Sequence, residues 1–156
     1  MKTLAQIWHE VPAKWALTPV PALVSDSRQV QVGSVFVALA ALHHDARSHI
    51  PAALAAGAGA VLAEAGGDWL AHDDVNGVPV LIVPELTQRL GEFAARFYDE
   101  PAQGMTVMAV TGTNGKTSIA NLMAGAALEL GQRSAVIGTL GNGFYGELAA
   151  SQFTTP

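Results

Sequence analysis

Short apolar runs alternate with amphipathic stretches along the first hundred residues of the chain. The amphipathic pattern is clearest over residues 84–98, which begin with proline and carry apolar residues at helical spacing. The pattern predicts helices over residues 3–9, 50–56 and 84–98, and strands over residues 21–25, 34–39, 60–63 and 79–83. A polar stretch, residues 66–77, is predicted to connect the last two strands. Strands that alternate with helices indicate an α/β domain.

A second set of elements follows residues 99–104, where proline and glycine end the preceding helix and predict a domain boundary. We therefore divide the chain into domains 1–100 and 101–156. The second domain is predicted to contain a strand over residues 106–110, a helix over 119–130 and a strand over 134–138. This alternation implies the start of a parallel sheet.

The second domain is predicted to be incomplete, since a parallel sheet is normally covered on both faces and contains more strands. We expect the chain to be an N-terminal fragment of a longer protein. An exposed apolar face and unpaired strand edges would favour self-association of such a fragment.

Composition narrows the classes of function. The 156 residues are 50% hydrophobic and 13% charged, with a formal net charge of −5, which fits a globular protein and disfavours a nucleic-acid partner. There is no cysteine, so a disulfide framework and a thiolate metal site are excluded. The uncharged tract over residues 48–63 is short for a bilayer span and is interrupted by proline and glycine, so no membrane partner is expected. No export signal is indicated, and a cytoplasmic location is expected.

The most informative segment is residues 108–118, an apolar run that leads into a glycine loop and then into a predicted helix. Glycines allow a tight turn that presents backbone N–H groups to an anion, and the helix directs its positive dipole end to the same point. Lys116 would reach the outer phosphates of a nucleotide, and the Thr117 hydroxyl would bind Mg²⁺. Asn114 can act as a further donor or simply as a turn residue. The candidate cofactor-binding residues are Gly112, Thr113, Asn114, Gly115, Lys116, Thr117 and Ser118.

Together with further segments, this loop resembles the Mur ligase family of peptidoglycan biosynthesis. The loop itself spans residues 111–117 (TGTNGKT). Residues 25–28 (SDSR) and 32–39 (VGSVFVAL) resemble the uridine-nucleotide-binding domain of the MurE and MurF types. Residues 97–101 (FYDEP), 138–143 (GTLGNG) and 154–156 (TTP) resemble the MurE type in particular.

The resemblance implies a fold, a reaction and a set of ligands. The fold would be a small α/β uridine-nucleotide-binding domain followed by the truncated start of a parallel-sheet P-loop ATPase domain. ATP with Mg²⁺ would phosphorylate a carboxylate of UDP-MurNAc-L-Ala-D-Glu, and an amino acid would attack the acyl phosphate to become the third residue of the stem peptide. That amino acid is meso-diaminopimelate or lysine, and the overall sequence favours diaminopimelate.

The resemblance also assigns site residues. Lys116 would be catalytic, and the candidate substrate-binding residues are Ser25, Ser27, His43, His44, Thr154 and Thr155. By residue type alone, Ser25 and Ser27 would be read as part of a polar turn. Residues 41–46 (ALHHDA) depart from the family pattern Gly-His-x-x-Asp-Gly, so the usual glycine and histidine are replaced or shifted.

Two alternatives remain: a MurF-type ligase, and a non-catalytic module that binds a UDP-sugar. The chain by itself is expected to lack ligase turnover, because the rest of the cleft would lie beyond Pro156. Three tryptophans, Trp8, Trp15 and Trp69, could stack on a uracil ring but are more often packing residues.

Overall fold

The computed structural model describes residues 1–41 and 44–150. They form two compact units, one over Met1–Met105 and one that begins at Thr106. The α-helices of the described residues are α1 (Leu4–Ile7), α2 (Ile50–Ala55), α3 (Leu86–Phe97) and α4 (Lys116–Glu129). The strands are β1 (Lys2–Thr3), β2 (Pro19–Val20), β3 (Leu23–Val24), β4 (Val35–Ala38), β5 (Ala40–Ala41), β6 (His44–Asp45), β7 (Ala60–Glu64), β8 (Asp73–Val75), β9 (Val78–Val83), β10 (Ala135–Gly138) and β11 (Gly141–Phe144).

The first unit is organised around a five-stranded sheet with the order β3-β4-β7-β9-β8. Strands β3, β4, β7 and β9 are parallel, with Phe36 opposite Val61 and Leu62 opposite Leu81. Parallel strands buried on both faces are expected to be apolar throughout, and β4 and β9 are. The predicted α/β class is therefore confirmed.

Alternate residues of each central strand face opposite sides of the sheet and enter two separate cores. One core includes α1 and α3, with Leu62 and Phe93 almost fully buried. Trp8 and Trp15 belong to this core and are 2% and 8% exposed, so both are packing residues. The other core lies beneath α2 and contains Phe36, Ile50, Ala53, Val61 and Ile82.

The connection predicted over residues 66–77 contains a strand, β8, that the hydrophobic pattern did not indicate. Strand β8 forms an antiparallel hairpin with β9, in which Val75 lies opposite Val78. The two residues between them, Asn76 and Gly77, both have positive φ angles, of 54° and 84°. An Asn-Gly pair is a strong hairpin signal. The hydrophobic pattern did not indicate β8 because the strand contains two aspartates, which an edge strand can accommodate.

The second unit contains α4 and an antiparallel hairpin of β10 and β11. The helix predicted over residues 119–130 is confirmed and begins earlier, at Lys116, and the strand predicted over 134–138 is also confirmed. The strand predicted over residues 106–110 is wrong, since these residues lie outside any helix or strand. An apolar run becomes a strand only when another strand accepts and donates its backbone hydrogen bonds. Within the described part of this unit the strand pairing is antiparallel, in contrast to the expected parallel sheet.

No helix in the described part of the chain is both long and apolar enough to cross a bilayer.

Candidate functional site

The glycine loop adopts a backbone conformation that depends on its two glycines. Gly112 and Gly115 have φ angles of 142° and 78°, in the region that side chains disfavour. Gly115 is the residue immediately before α4, so the loop turns directly into the helix. The loop residues from Gly112 to Lys116 are exposed. The turn thus leaves the backbone of the loop accessible to a ligand.

The N-terminus of α4 offers backbone donors next to this loop. Its first intrahelical hydrogen bond runs from Ile119 N–H to Gly115 O, at 2.9 Å. The N–H groups of Lys116, Thr117 and Ser118 precede it and have no acceptor within the helix. A helix of 14 residues also places a partial positive charge at this end. Free N–H groups and a positive dipole end favour an anion such as a phosphate.

The Lys116 side chain lies across the loop. Its ammonium donates hydrogen bonds to the carbonyl oxygens of Gly112, at 2.6 Å, and of Thr113, at 3.2 Å. An ammonium carries three N–H donors, so these two bonds leave one donor for another acceptor. Lys116 therefore brings a positive charge to the same loop whose backbone presents the N–H groups.

Thr117 follows Lys116 in the first turn of α4 and is half-buried. Its hydroxyl lies 3.0 Å from the Thr139 hydroxyl, and its carbonyl accepts a hydrogen bond of 2.9 Å from Asn121 Nδ2. A hydroxyl oxygen is a hard ligand of the kind that Mg²⁺ prefers, so the donor set of the loop fits a magnesium-bound nucleotide. Thr139 was not among the predicted site residues, although it lies within residues 138–143.

The candidate residues Ser25 and Ser27 follow β3 directly, at the carboxyl edge of the sheet. Ser25 is exposed, and Ser27 is half-buried and opens a short 3₁₀ helix. Between them Asp26 accepts hydrogen bonds from Arg28, at 2.9 Å from Nε and 2.7 Å from Nη2. These hydrogen bonds lower the pKa of Asp26 from its ordinary value of 3.8 to about 2. Asp26 also accepts a hydrogen bond of 2.9 Å from the Arg28 N–H, so the pair braces the turn that carries the two serines.

A second set of contacts holds the carboxyl edge of the sheet together. Arg47 donates hydrogen bonds to Glu64 O, at 3.1 Å, and to Gly66 O, at 2.9 Å, just where β7 ends. Its guanidinium also pairs with Asp45, at 2.7 Å, and this pair raises the pKa of Arg47. Because β3, β4 and β7 are parallel, their carboxyl ends meet at one edge. Ligands of open α/β sheets commonly bind outside this edge.

The remaining predicted substrate residues are only partly within the described structure. The backbone of His44 belongs to β6 and pairs with Ala41 of β5. His43, Thr154 and Thr155 lie outside the described residues. The structure therefore places Ser25 and Ser27 at the sheet edge and the glycine loop at α4, and it leaves the other predicted contacts as predictions.

Trp69, the third tryptophan considered for stacking, lines a cavity of about 830 Å³ beside α2 and the β8–β9 hairpin. The walls are largely apolar and include Leu54, Val75 and Val80. Part of the Trp69 side chain packs against the second core. The hydrophobic pattern of the chain did not predict this cavity.

A parallel α/β domain followed by a glycine loop at a helix N-terminus is an arrangement typical of nucleotide-binding α/β proteins. The chain is 47% identical over 135 residues to UDP-N-acetylmuramoyl-L-alanyl-D-glutamate–2,6-diaminopimelate ligase of Pseudomonas putida, and 41% identical over 162 residues to the ligase of the same name of Alkalilimnicola ehrlichii. These alignments cover 86% and 100% of the chain. The chain belongs to the Mur ligase family.

Solved structures agree with this assignment. A structure of UDP-N-acetylmuramoyl-L-alanyl-D-glutamate–2,6-diaminopimelate ligase matches 96% of the chain with a TM-score of 0.72 and 33% identity, over 30% of its own length. MurF ligase from Thermotoga maritima, in complex with ADP, matches 69% of the chain with a TM-score of 0.50 and 26% identity, over 23% of its own length. No family model matches the chain.

The chain is much shorter than its relatives. It spans 27% of the length of the Pseudomonas putida ligase and 32% of the length of the Alkalilimnicola ehrlichii ligase.

Proposed function

We propose that the chain is the uridine-nucleotide-binding domain and the start of the ATP-binding domain of an ATP-dependent amide ligase of peptidoglycan biosynthesis. The enzyme would add meso-diaminopimelate, as the third residue of the stem peptide, to UDP-MurNAc-L-Ala-D-Glu. The observation that carries this proposal is the glycine loop before α4, with Lys116 across it, in a chain up to 47% identical to diaminopimelate ligases. A cytoplasmic location forms part of the proposal.

The reaction would proceed in two transfers. A carboxylate oxygen of the UDP-linked substrate attacks the terminal phosphorus of ATP, ADP leaves, and an acyl phosphate forms. The amine of diaminopimelate then attacks the acyl carbon, phosphate leaves, and the amine loses a proton. A carboxylate is a poor electrophile, so the first transfer supplies the leaving group that the second requires.

The residues of the second unit would act on the nucleotide. The backbone N–H groups of Lys116, Thr117 and Ser118 would bind phosphate oxygens, and the Lys116 ammonium would offset the negative charge that moves during transfer. Mg²⁺, held by the Thr117 hydroxyl, would supply further positive charge to the phosphate oxygens. Thr113 and Asn114 complete the loop around the phosphates.

The residues of the first unit would bind the sugar nucleotide at the carboxyl edge of the sheet. Ser25 and Ser27 would donate hydrogen bonds to the uridine, and His43 and His44 would lie near the diphosphate. Thr154 and Thr155 would contact the peptide portion of the substrate. Full turnover is proposed only for a chain of the relatives' length, because this chain covers about a third of it.

The proposal is tested by calorimetric titration of the chain with UDP-MurNAc-L-Ala-D-Glu and, separately, with Mg-ATP. Saturable binding of both is expected. Ser27→Ala is expected to weaken binding of the sugar nucleotide about tenfold, since one hydrogen bond in a binding site contributes about 1–1.5 kcal/mol. The affinity for ATP should not change. Ser134→Ala removes a serine hydroxyl from the second unit and serves as the matched control.

One further ligand, UDP-MurNAc-tripeptide, and the ATP titration separate the alternatives. Preferential binding of the UDP-MurNAc-tripeptide over the dipeptide would favour a MurF-type ligase. Binding of the sugar nucleotide without any binding of ATP would favour a non-catalytic UDP-sugar module. Failure to bind either nucleotide would overturn the proposal.

A further inference from the structure

The two threonine hydroxyls at the second unit's glycine loop come from segments far apart in the sequence. Thr117 lies in the first turn of α4, and Thr139 lies in the turn between β10 and β11. Their Oγ1 atoms are 3.0 Å apart, and either can be the donor. A hydrogen bond between hydroxyls 22 residues apart joins the β10–β11 turn to the start of the helix.

The turn that carries Thr139 is held in place by its own contacts. Gly138 and Gly141 pair across the hairpin, and only Thr139 and Leu140 lie between them. Gly138 N–H donates to Asn142 Oδ1 at 3.2 Å. Gly141 has a φ angle of 131°, and a Cβ there would collide with Ala149 O. The short turn therefore restricts where the Thr139 hydroxyl can lie.

A hydroxyl that binds a cation must direct its own proton away from that cation. When Thr117 donates to Thr139, the lone pairs of the Thr117 oxygen are free for a metal ion. The positive charge of the ion favours this direction of the hydrogen bond over the reverse. Outer partners of metal ligands commonly fix the orientation of the ligand in this way.

We infer that Thr139 is a positioning residue that orients the Thr117 hydroxyl toward a divalent cation bound with the nucleotide. This inference rests on the proposed function, since it assumes a magnesium-nucleotide complex at the glycine loop. Thr139 acts through Thr117 and needs no contact of its own with the nucleotide. The role requires a hydroxyl at position 139, and serine can supply it.

The test measures how strongly ADP binding by the 156-residue chain depends on Mg²⁺. ADP affinity is determined by calorimetry in a series of Mg²⁺ concentrations and in EDTA. Thr139→Val keeps the shape of the side chain and removes the acceptor. The Mg²⁺ concentration that gives half of the Mg²⁺-dependent gain in ADP affinity is expected to rise about tenfold. This is the low end of the ~10–100-fold range for residues that contact metal ligands, because water can reach this exposed pair of hydroxyls. ADP affinity in EDTA should stay unchanged.

Thr139→Ser is expected to retain the wild-type Mg²⁺ dependence. A double-mutant cycle then separates action through Thr117 from independent action. In the Thr117→Val background, Thr139→Val should cause no further change in Mg²⁺ dependence. Amide spectra of each variant, recorded by nuclear magnetic resonance, show whether the β10–β11 hairpin stays folded.

Each other outcome overturns the inference in a recognisable way. If Thr139→Val leaves the Mg²⁺ dependence of ADP binding unchanged, the role of Thr139 is contradicted and the nucleotide site is not. If Thr139→Val weakens ADP binding equally in Mg²⁺ and in EDTA, Thr139 has a structural role instead. Wild-type ADP binding that ignores Mg²⁺ overturns the inference and leaves the nucleotide site standing. No ADP binding by the wild type overturns both this inference and the assignment of the glycine loop.

Discussion

The two units of the chain differ in how they treat large apolar side chains. The first unit buries them in two cores on the two faces of one sheet. In the described part of the second unit, the buried apolar side chains are those of Ala124 and Val136, while Leu122 and Leu130 are 73% and 80% exposed. The first unit thus has the packing of an autonomous domain, and the second has little apolar burial to hold it together.

The two candidate sites are therefore held in place by different kinds of contact. The carboxyl edge of the first unit rests on a packed sheet and on the Arg47 contacts to the end of β7. The glycine loop rests on local contacts, such as those of Lys116 with its own loop. We expect the first site to be preorganised, and the second to gain order when a nucleotide binds.

The largest effect is expected from a matched pair of leucine truncations. Leu62→Ala, at a fully buried position, is expected to destabilise the first unit by about 2–5 kcal/mol. Leu122→Ala, at a 73% exposed position, should change stability by no more than about 0.5 kcal/mol. Urea unfolding followed by tryptophan fluorescence reports the first unit, which contains all three tryptophans. Amide signals of α4, followed by nuclear magnetic resonance over the same urea series, report the second unit. Equal losses for both variants would contradict the contrast in packing.

A smaller effect is expected from removing the loop lysine. Lys116→Ala should weaken Mg-ATP binding about 10–100-fold, since hydrogen bonds to charged groups contribute about 1.5–3 kcal/mol. Calorimetry measures the affinity, and tryptophan fluorescence should show an unchanged first unit. Lys14→Ala removes a lysine from the first unit and is expected to leave ATP affinity unaltered. The same loss in both variants would point to a non-specific charge effect.

Self-association provides the next test, because the exposed leucines of α4 and its end favour contact between copies of the chain. Leu122→Gln and Leu130→Gln are each expected to weaken association by about 1 kcal/mol, or roughly fivefold to tenfold in the dissociation constant. Sedimentation equilibrium measures this constant. Leu17→Gln changes an 83% exposed leucine of the first unit and is the control. A wild-type chain that stays monomeric at high concentration would contradict the prediction.

The smallest effect concerns pH. The pKa of Asp26 is lowered from 3.8 to about 2 in the folded chain, so its ion pair with Arg28 stabilises the first unit above about pH 4. That stabilisation is lost as pH falls through about 2. Asp26→Asn and Arg28→Gln should both flatten this part of the profile of urea midpoint against pH. Carbon-13 titration of the Asp26 carboxyl checks the pKa directly, and a value near 3.8 would argue against the ion pair in solution.

Sequence reasoning succeeded where local pattern and tertiary burial agree. The apolar runs at β4, β7 and β9 could be predicted because every residue of a doubly covered parallel strand meets a core. The same reasoning failed at residues 106–110, which are just as apolar. Whether such a run pairs depends on distant strands, and local pattern contains no information about them.

The glycine loop was predictable for a similar reason, since its residues are adjacent in sequence. Gly112 and Gly115 indicate the turn and the start of the helix, and Lys116, the next residue, supplies the positive charge. The contact between Thr117 and Thr139 could not be predicted, because it depends on the β10–β11 hairpin folding back to α4. The role of Arg47 at the end of β7 depended in the same way on the register of the sheet.

Lys2, near the amino terminus of the first unit, contacts residues at the carboxyl end of the same unit. Lys2 Nζ donates to Arg96 O and lies 2.6 Å from Asp99 Oδ1, so residues about 97 positions apart are in contact. During synthesis, this bond must wait until almost the whole unit has left the ribosome, and closing so long a loop is slow. The hairpin of β10 and β11 needs only ten consecutive residues. We therefore expect the hairpin of the second unit to form rapidly once its residues are available. Within the first unit, the contact between its two ends is expected to be the last part of the fold to form.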